Sequence, residues 1–342
     1  MVERGDLITS FGQLGNELRL AIQESQSDAD HELNQVKQRA FVQNGWFTSN
    51  EVDHALQQWA DLLHEDKITN WLSTYSSPKT PLNVGLVLAG NIPLVGFHDV
   101  LCTILAGHKA HIKCSSTDSI LLTYLLEKLV AIEPQIKEHF TIQDGFLKSW
   151  DAAIATGSSN SARYFNQYFG SKPSIIRKNR TSIAVLDGSE SEEELAGLME
   201  DAFRYFGLGC RNVTKLFVPI NYDLNKIFKA SIPFSYLLEN KKYVNNYNYH
   251  KTLMMMNQET ILENDLFVLA EKTDIFSPVS VLNYETYKTE EELTNKIEPI
   301  LDDIQCVIGN KNLAFGEAQK PGLDDYADGI DTMDFLVNLR CE

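Results

Sequence analysis

The sequence predicts an α/β protein, with parallel sheets wrapped by helices. Two observations predict it. Short apolar runs alternate with helical runs from Asn83 onward, and turn residues such as Gly90-Asn91-Ile92-Pro93 punctuate them. The chain of 342 residues is also long enough for two packed domains, and its 43% hydrophobic and 23% charged content is that of a globular protein.

Residues 1–79 read as a helical lead-in packed on the unit that follows. Phe11, Leu14, Leu18 and Ile22 repeat at helical spacing, as do Val52, Leu56, Trp59 and Leu63. Ser76-Ser77-Pro78-Lys79-Thr80-Pro81 is a proline-bearing linker. Residues 80–206 form the first α/β domain. Asn83–Ala89 is an apolar strand, and Pro93 is placed to start a helix through Leu105. Ala110–Lys113 and Ser119–Ile132 follow as strand and helix, then Ala152–Ala155 and Ser161–Tyr168. Ser174–Ile176 and Ser182–Leu186 read as strands, and Glu192–Phe206 as a helix. Ligands on such sheets sit at the carboxyl ends of strands, which here are Gly90-Asn91, Lys113–Ser116 and Thr156–Ser159.

Residues 207–310 carry a second alternation. Lys215–Pro219 is a strand, and Asp223–Leu238 is helical with an interruption at Pro233. Tyr243–Tyr249 reads as connecting surface and Lys251–Asn257 as a short helix. Phe267–Leu269 and Val279–Leu282 are strands, Glu290–Leu301 a helix, and Cys306–Ile308 a strand. The tail, 311–342, is rich in Gly and Asp. It ends in the apolar cluster Met333-Asp334-Phe335-Leu336-Val337, read as a returning strand or an oligomer contact.

A net charge of −17 argues against nucleic-acid or anionic-membrane partners, since a polyanion would be repelled. The run Val84–Gly107 is apolar, but Asn91, Pro93, His98 and Asp99 in its middle argue against a membrane span. The first residues, Met1-Val2-Glu3-Arg4-Gly5-Asp6, lack the apolar core of a secretory signal. The five cysteines, at irregular spacing, then read as reduced thiols in a cytoplasm.

The chemistry centres on Phe206-Gly207-Leu208-Gly209-Cys210-Arg211-Asn212. Two glycines free the backbone and leave the sulfur uncrowded, and Arg211 and Arg204 are cations that favour a thiolate. Local sequence leaves two readings of Cys210, a nucleophile or a small buried residue in a turn. Asn91 follows the first strand, where its amide N–H would stabilise a developing oxyanion or cap the turn. Ala155-Thr156-Gly157-Ser158-Ser159 is a strand-end turn small enough for close approach of a flat ring or phosphate, or a helix cap. No Gly-x-Gly-x-x-Gly follows any strand, and there is no Walker loop, Gly-x-Ser-x-Gly elbow or His-Glu-x-x-His helix. His108, His111 and Cys114 have a superficial look of metal ligands. Strand alternation from Ala110 points Cys114 away from His111, so no metal is assigned.

Taken as an ordered set, five segments resemble the aldehyde dehydrogenase superfamily. Gly90-Asn91-Ile92-Pro93-Leu94 resembles its Asn-x-Pro turn, and Ile112-Lys113-Cys114-Ser115-Ser116 its cofactor strand. Thr156-Gly157-Ser158-Ser159 resembles its Thr-Gly-Ser turn, and Gly207-Leu208-Gly209-Cys210 its nucleophile loop. Thr273-Asp274-Ile275-Phe276-Ser277-Pro278-Val279 resembles its Glu-x-Phe-Gly-Pro-Val segment. Val87-Leu88-Ala89-Gly90-Asn91-Ile92-Pro93-Leu94 is especially similar to the LuxC-like long-chain acyl-CoA reductases. The resemblance implies an aldehyde-dehydrogenase-like fold, with a Rossmann-like cofactor domain and an α/β catalytic domain. It implies Cys210 as nucleophile, with the Asn91 side chain and the Cys210 backbone N–H as oxyanion donors. It places Lys113 and Ser116 at the adenosine ribose, Gly157 and Ser158 near the pyrophosphate or nicotinamide, and Asp274 on the nicotinamide ribose.

Three departures refine that reading. Ser116 stands where the family often has Glu, which removes a repulsion toward a 2′-phosphate and favours NADPH over NADH. Asp274 is one methylene shorter than the family's Glu. The glutamate that activates hydrolytic water has no counterpart, and Arg177-Lys178-Asn179-Arg180 occupies its approximate position. The sequence therefore reads as an NADPH-dependent acyl-CoA reductase that holds a covalent acyl-cysteine, with acyl-CoA as substrate and a homo-oligomer as the expected assembly. Aldehyde oxidation, acyl-phosphate reduction and a catalytically silent cofactor-binding scaffold are the other readings.

Overall fold

The computed structural model describes residues 2–76, 80–145, 147, 149–157, 159–309 and 311–340. The chain folds as two compact units, residues 1–179 with 322–342, and residues 180–321. The first unit opens with four helices, α1 (Arg4–Ser27), α2 (Glu32–Gln43), α3 (Ser49–Leu62) and α4 (Glu65–Leu72). Helical spacing gives α1 a stripe of Leu7, Phe11, Leu14, Leu18 and Ile22, and all five are buried. Five parallel strands follow, β1 (Asn83–Val87), β2 (Lys109–Lys113), β3 (Phe140–Ile142), β4 (Ala152–Thr156) and β5 (Ser174–Arg177), in the order β3-β2-β1-β4-β5. The connecting helices are α5 (Phe97–Leu105), α6 (Ile120–Ile132) and α7 (Ser159–Phe169). β1 is central and covered on both faces, which is why Val84, Gly85 and Leu86 are all buried and the strand reads as continuously apolar. α6 packs against α1 and α2, and it buries Leu121, Leu122, Leu125, Leu126 and Leu129.

The second unit holds a six-stranded sheet, formed from β6 (Thr181–Val185), β7 (Val213–Pro219), β8 (Ile261–Glu263), β9 (Val268–Glu271), β10 (Val281–Tyr287) and β11 (Ile304–Ile308). Its order is β11-β6-β7-β10-β9-β8, parallel except for the antiparallel β8–β9 edge pair. Its helices are α8 (Glu192–Phe203), α9 (Asn225–Ala230), α10 (Lys241–Met256) and α11 (Glu290–Ile297). A Ser191–Glu194 capping box and three glutamates in the first turn start α8, where the helix dipole favours negative charge.

Several elements differ from the sequence reading. The boundary at 206/207 falls inside the second unit, because β6 pairs with β7 and β11 and so carries 180–206 with it. The segment Tyr243–Tyr249 is not connecting surface. It lies within α10, capped by the Asn240 side chain, and Tyr243, Tyr247 and Met254 form its buried stripe. Burial of that stripe outweighs the weak helix propensity of a Tyr/Asn-rich run. The first-unit helix starts at Phe97 rather than Pro93, because Leu94 turns with φ 59°. β3 and β8, each three residues long, gave no legible periodicity. Ser77–Lys79 of the linker lie outside the described residues.

The apolar tail cluster is a helix, α12 (Thr332–Val337), rather than a strand. Asp331 caps it, and it buries Met333 and Leu336 in the first unit's core, packed on α5. Polar contacts help hold this return. The Tyr75 hydroxyl donates to Asp331 Oδ2 at 2.8 Å, Trp71 Nε1 donates to the Tyr326 hydroxyl at 2.9 Å, and Arg177 Nη2 donates to Thr332 Oγ1 at 2.8 Å. Arg177 also donates through Nη1 to both carboxylate oxygens of Asp99, at 2.8 and 2.6 Å, and both partners are buried. Among the described residues no helix is long and apolar enough to cross a membrane.

Removing one partner of such a pair leaves a buried charge without compensation. We expect Asp99→Ala to cost about 3–5 kcal/mol in urea unfolding. Replacing both partners by apolar residues of similar volume should recover most of that loss.

Candidate active site

The first unit contributes the carboxyl end of its sheet. β1 lies between β2 and β4, so the connection out of β1 runs to one side while β4 returns on the other. Ligands on open α/β sheets bind at such a switch point. Gly90 follows β1 and packs so tightly that a Cβ would lie 2.5 Å from Ser115 Oγ and 2.7 Å from Thr117 Oγ1. The Thr117 hydroxyl donates to the Gly90 carbonyl at 2.8 Å. Asn91 is the next residue, and its side chain is exposed. The Leu94 N–H donates to Asp118 Oδ2 at 2.8 Å, which ties the far side of this turn to the loop after β2. Asp118 is 5% exposed, and its Oδ1 has no hydrogen-bond partner. Burial pushes its carboxyl up to about 7.

Lys113 ends β2, and Ser116 is exposed in the turn beyond it. Gly157 follows β4, where its N–H donates to the Arg177 carbonyl at 3.4 Å. Ser158 lies outside the described residues. A pocket of about 470 Å³ opens at this end of the sheet. Val87, Lys113, Leu147, Tyr164, Phe165 and Tyr168 are among its lining residues. It pairs broad apolar and aromatic walls with one cation at the end of β2.

The second unit contributes Cys210, at the amino end of its sheet. α8 ends at Phe203, and the chain then takes three successive left-handed residues, Tyr205, Phe206 and Gly207, with φ of 56°, 58° and 75°. Tyr205 and Phe206 pay the strain of that conformation and are buried in return. Asn212 organises the turn. Its fully buried amide donates to the carbonyls of Asp201 (3.0 Å), Ala202 (3.3 Å) and Arg204 (2.8 Å), which are orphan acceptors at the end of α8. Its Oδ1 accepts the Gly209 N–H at 2.7 Å, and its own N–H donates to the Gly209 carbonyl at 3.1 Å. Cys210 is half-buried, and the Ser182 hydroxyl donates to its carbonyl at 3.0 Å.

The two arginines named for their charge each bond to a group of the second unit. Arg204 Nε donates to Glu200 Oε1 at 2.5 Å, and Arg211 Nε donates to the Ala318 carbonyl at 2.5 Å. Asp201 in turn anchors the segment that carries Ala318. Its carboxylate accepts from the Gly316 N–H at 2.7 Å and the Ala318 N–H at 2.9 Å, and burial pushes it up to about 6.

Asp274 lies at the same end of the second sheet as Cys210. Thr181 Oγ1 donates to the Asn212 carbonyl at 3.4 Å and meets Thr214 Oγ1 at 2.5 Å, and Thr214 donates to the Ile275 carbonyl at 2.6 Å. Asn283 Nδ2, on β10, donates to the carbonyls of Asp274 (2.9 Å) and Phe276 (3.2 Å). The Asp274 side chain is exposed. Two clusters of site residues therefore form, Asn91, Lys113, Ser116 and Gly157 in the first unit and Cys210 and Asp274 in the second.

The remaining candidates have structural partners. His108 Nδ1 accepts the Leu82 N–H at 3.1 Å, so Nε2 carries the proton and donates to the Leu336 carbonyl at 2.9 Å. His111 meets Asn83 Oδ1 and Gln143 Nε2. Burial pushes the Cys102 thiol well up and the Cys114 thiol up to about 11, so neither ionises readily. Cys341 lies outside the described residues. Asn212, Ser182, Asn283 and Asp118 were not legible in sequence, because each acts by bonding to backbone groups and such bonds leave no periodic trace.

The fold is that of the aldehyde dehydrogenases. A mutant of aldehyde dehydrogenase C from Pseudomonas syringae, solved with NAD+ and octanal, matches with TM-score 0.64 and 13% identity over 90% of this chain and 72% of that one. An NAD-dependent aldehyde dehydrogenase from Sinorhizobium meliloti matches with TM-score 0.65 and 12% identity over 93% and 72%. An aldehyde dehydrogenase from Bartonella henselae matches with TM-score 0.65 and 11% identity over 90% and 74%. No curated protein sequence matches the chain. The family described as acyl-CoA reductase (LuxC) matches residues 17–225, well over half the chain, with Asn91, Lys113 and Cys210 inside the match. The chain belongs to that family and is an oxidoreductase of the aldehyde dehydrogenase type.

Asp118 makes stability at this site pH-dependent. Its folded pKa lies above its unfolded value, so the folded state binds the proton more tightly. The contribution is full below pH 4 and is lost as pH rises through about 7. Asp118→Asn keeps the acceptor for Leu94. We expect it to raise the melting temperature at pH 8, leave it unchanged at pH 4, and flatten the profile between.

Proposed function

We propose that this protein reduces acyl-CoA to aldehyde and free CoA with NADPH, through a covalent acyl group on Cys210. The observation that carries the reading is the loop around Cys210. In a chain of this family, a half-buried cysteine sits on backbone fixed on both sides, at the end of the sheet that also carries Asp274.

Cys210 Sγ, as thiolate, attacks the acyl carbonyl carbon. A carbon–sulfur bond forms, and the carbonyl π electrons move onto oxygen. The Cys210 N–H and the exposed amide of Asn91 are the donors that would stabilise that oxyanion, typically worth about 3 kcal/mol each. Collapse expels CoA thiolate, which takes up a proton, and leaves an acyl-cysteine. A nicotinamide cofactor, when bound, would supply the hydride that reduces this thioester. Cys210 thiolate is then the leaving group when the second oxyanion collapses to free aldehyde.

The pocket beside Lys113 fits the adenosine end of such a cofactor. Its aromatic walls suit a flat base, and the Lys113 ammonium suits a phosphate. Ser116 offers no carboxylate to repel a 2′-phosphate. Survival of the acyl-cysteine is supported by the segment 177–180. Arg177 is paired with Asp99, and Arg180 donates to the Ile304 carbonyl at 3.1 Å, so the position where relatives hold a water-activating carboxylate carries cations in structural roles.

Cys210→Ala should abolish both the acyl adduct seen by intact mass on mixing with acyl-CoA and NADPH-dependent aldehyde formation. Aldehyde formation by that variant would sink the reading. Ser116→Glu should raise the KM for NADPH about tenfold or more while leaving that for NADH little changed. An unaltered NADPH preference would remove Ser116 from the cofactor site.

A further inference from the structure

Three consecutive peptide planes around Cys210 are fixed, the outer two by the buried side chains of Asn212 and Ser182 and the middle one by the backbone N–H of Asn212, which the Asn212 amide places through its bonds to the carbonyls of Asp201, Ala202 and Arg204. Asn212 Oδ1 accepts the Gly209 N–H at 2.7 Å, which holds the 208–209 plane. The Asn212 N–H donates to the Gly209 carbonyl at 3.1 Å, which holds the 209–210 plane. The Ser182 hydroxyl donates to the Cys210 carbonyl at 3.0 Å, which holds the 210–211 plane. Both side chains are fully buried. Ser182 is itself held, because its oxygen accepts the Cys306 N–H at 3.2 Å and meets Cys306 Sγ at 3.0 Å.

In a trans peptide the N–H points opposite to the C=O. Holding the Gly209 carbonyl toward Asn212 therefore fixes the direction of the Cys210 N–H. Residues 207 and 209 are glycines, the most permissive backbone available, so without these bonds the direction would be free to vary.

We propose that Ser182 and Asn212 are positioning residues that aim the Cys210 N–H at the oxyanion formed during acylation. The proposal rests on the reading of Cys210 as nucleophile. It separates two properties of one residue, the reactivity of the sulfur and the aim of the amide. Alkylation by iodoacetamide displaces iodide at a saturated carbon and forms no oxyanion, so it reports the sulfur alone. Acylation by a thioester needs both.

The test compares the two reactions on the full chain. Acylation by octanoyl-, lauroyl- and myristoyl-CoA is followed by intact mass without cofactor. Iodoacetamide alkylation of Cys210 is followed across pH, so that rates are compared at equal thiolate fraction. Ser182→Ala removes the hydroxyl that holds the Cys210 carbonyl. Asn212→Asp keeps the acceptor for Gly209 and loses the amide donors that anchor residue 212, and with it the backbone N–H that holds the Gly209 carbonyl, to the end of α8. Two variants are read so that a folding failure in one leaves the other informative. We expect each to slow acylation about 10–100-fold while changing alkylation by less than about 3-fold. Equal slowing of both reactions would reduce the two residues to ordinary loop support, and unchanged acylation would also overturn the proposal. A wild-type chain that takes iodoacetamide at Cys210 but no acyl group from any of the three thioesters would remove the reading of Cys210, and the proposal with it.

Discussion

The end of α8 is the constraint on which the second unit's chemistry depends. A helix leaves its last carbonyls without partners, and here the chain must also reverse within a few residues to enter β7. Asn212 resolves both demands. Its amide satisfies the carbonyls of Asp201, Ala202 and Arg204, and its oxygen and backbone N–H hold Gly209. The strained residues Tyr205 and Phe206 are stabilised by burial of their rings, so the turn has one conformation despite its glycines. Asp201, in the last turn of the helix, extends the same anchoring to Gly316 and Ala318.

The site residues occupy opposite strand ends in the two units. In the first unit, Asn91, Lys113 and Gly157 stand at carboxyl ends, where a parallel sheet with a switch point between β1 and β4 opens a pocket. In the second, Cys210 precedes β7, and Asp274 is tied to the same amino end through Thr181, Thr214 and Asn283. The carboxyl-end rule locates the first set and is silent on the second. The second set is built by side chains that bond to backbone carbonyls, a pattern that constrains loops without any periodic trace in sequence.

The first unit closes on the chain's last residues. α12 supplies Met333 and Leu336 to the core, and the buried Arg177–Asp99 pair reaches Thr332. Tyr75, Trp71, Tyr326 and Asp331 complete a polar network across the same return. Buried polar groups of this kind specify one packing because any other leaves them without partners.

The sequence by itself determined the α/β class, most strands and helices, and the ordered segments that carry Asn91, Lys113, Cys210 and Asp274. It did so because strand burial and helix amphipathicity write periods of two and 3.6 into local sequence, and because turns require Gly, Asn and Pro at fixed offsets. Tertiary structure alone decided the rest. It assigned β6 and α8 to the second unit, since strand pairing joins residues far apart in the chain. It made Tyr243–Tyr249 helical and the tail cluster a helix, since burial outweighed propensity in both. It gave Arg204 and Arg211 bonds to Glu200 and the Ala318 carbonyl, and it revealed Asn212, Ser182 and Asp118, whose roles lie in which backbone groups they meet.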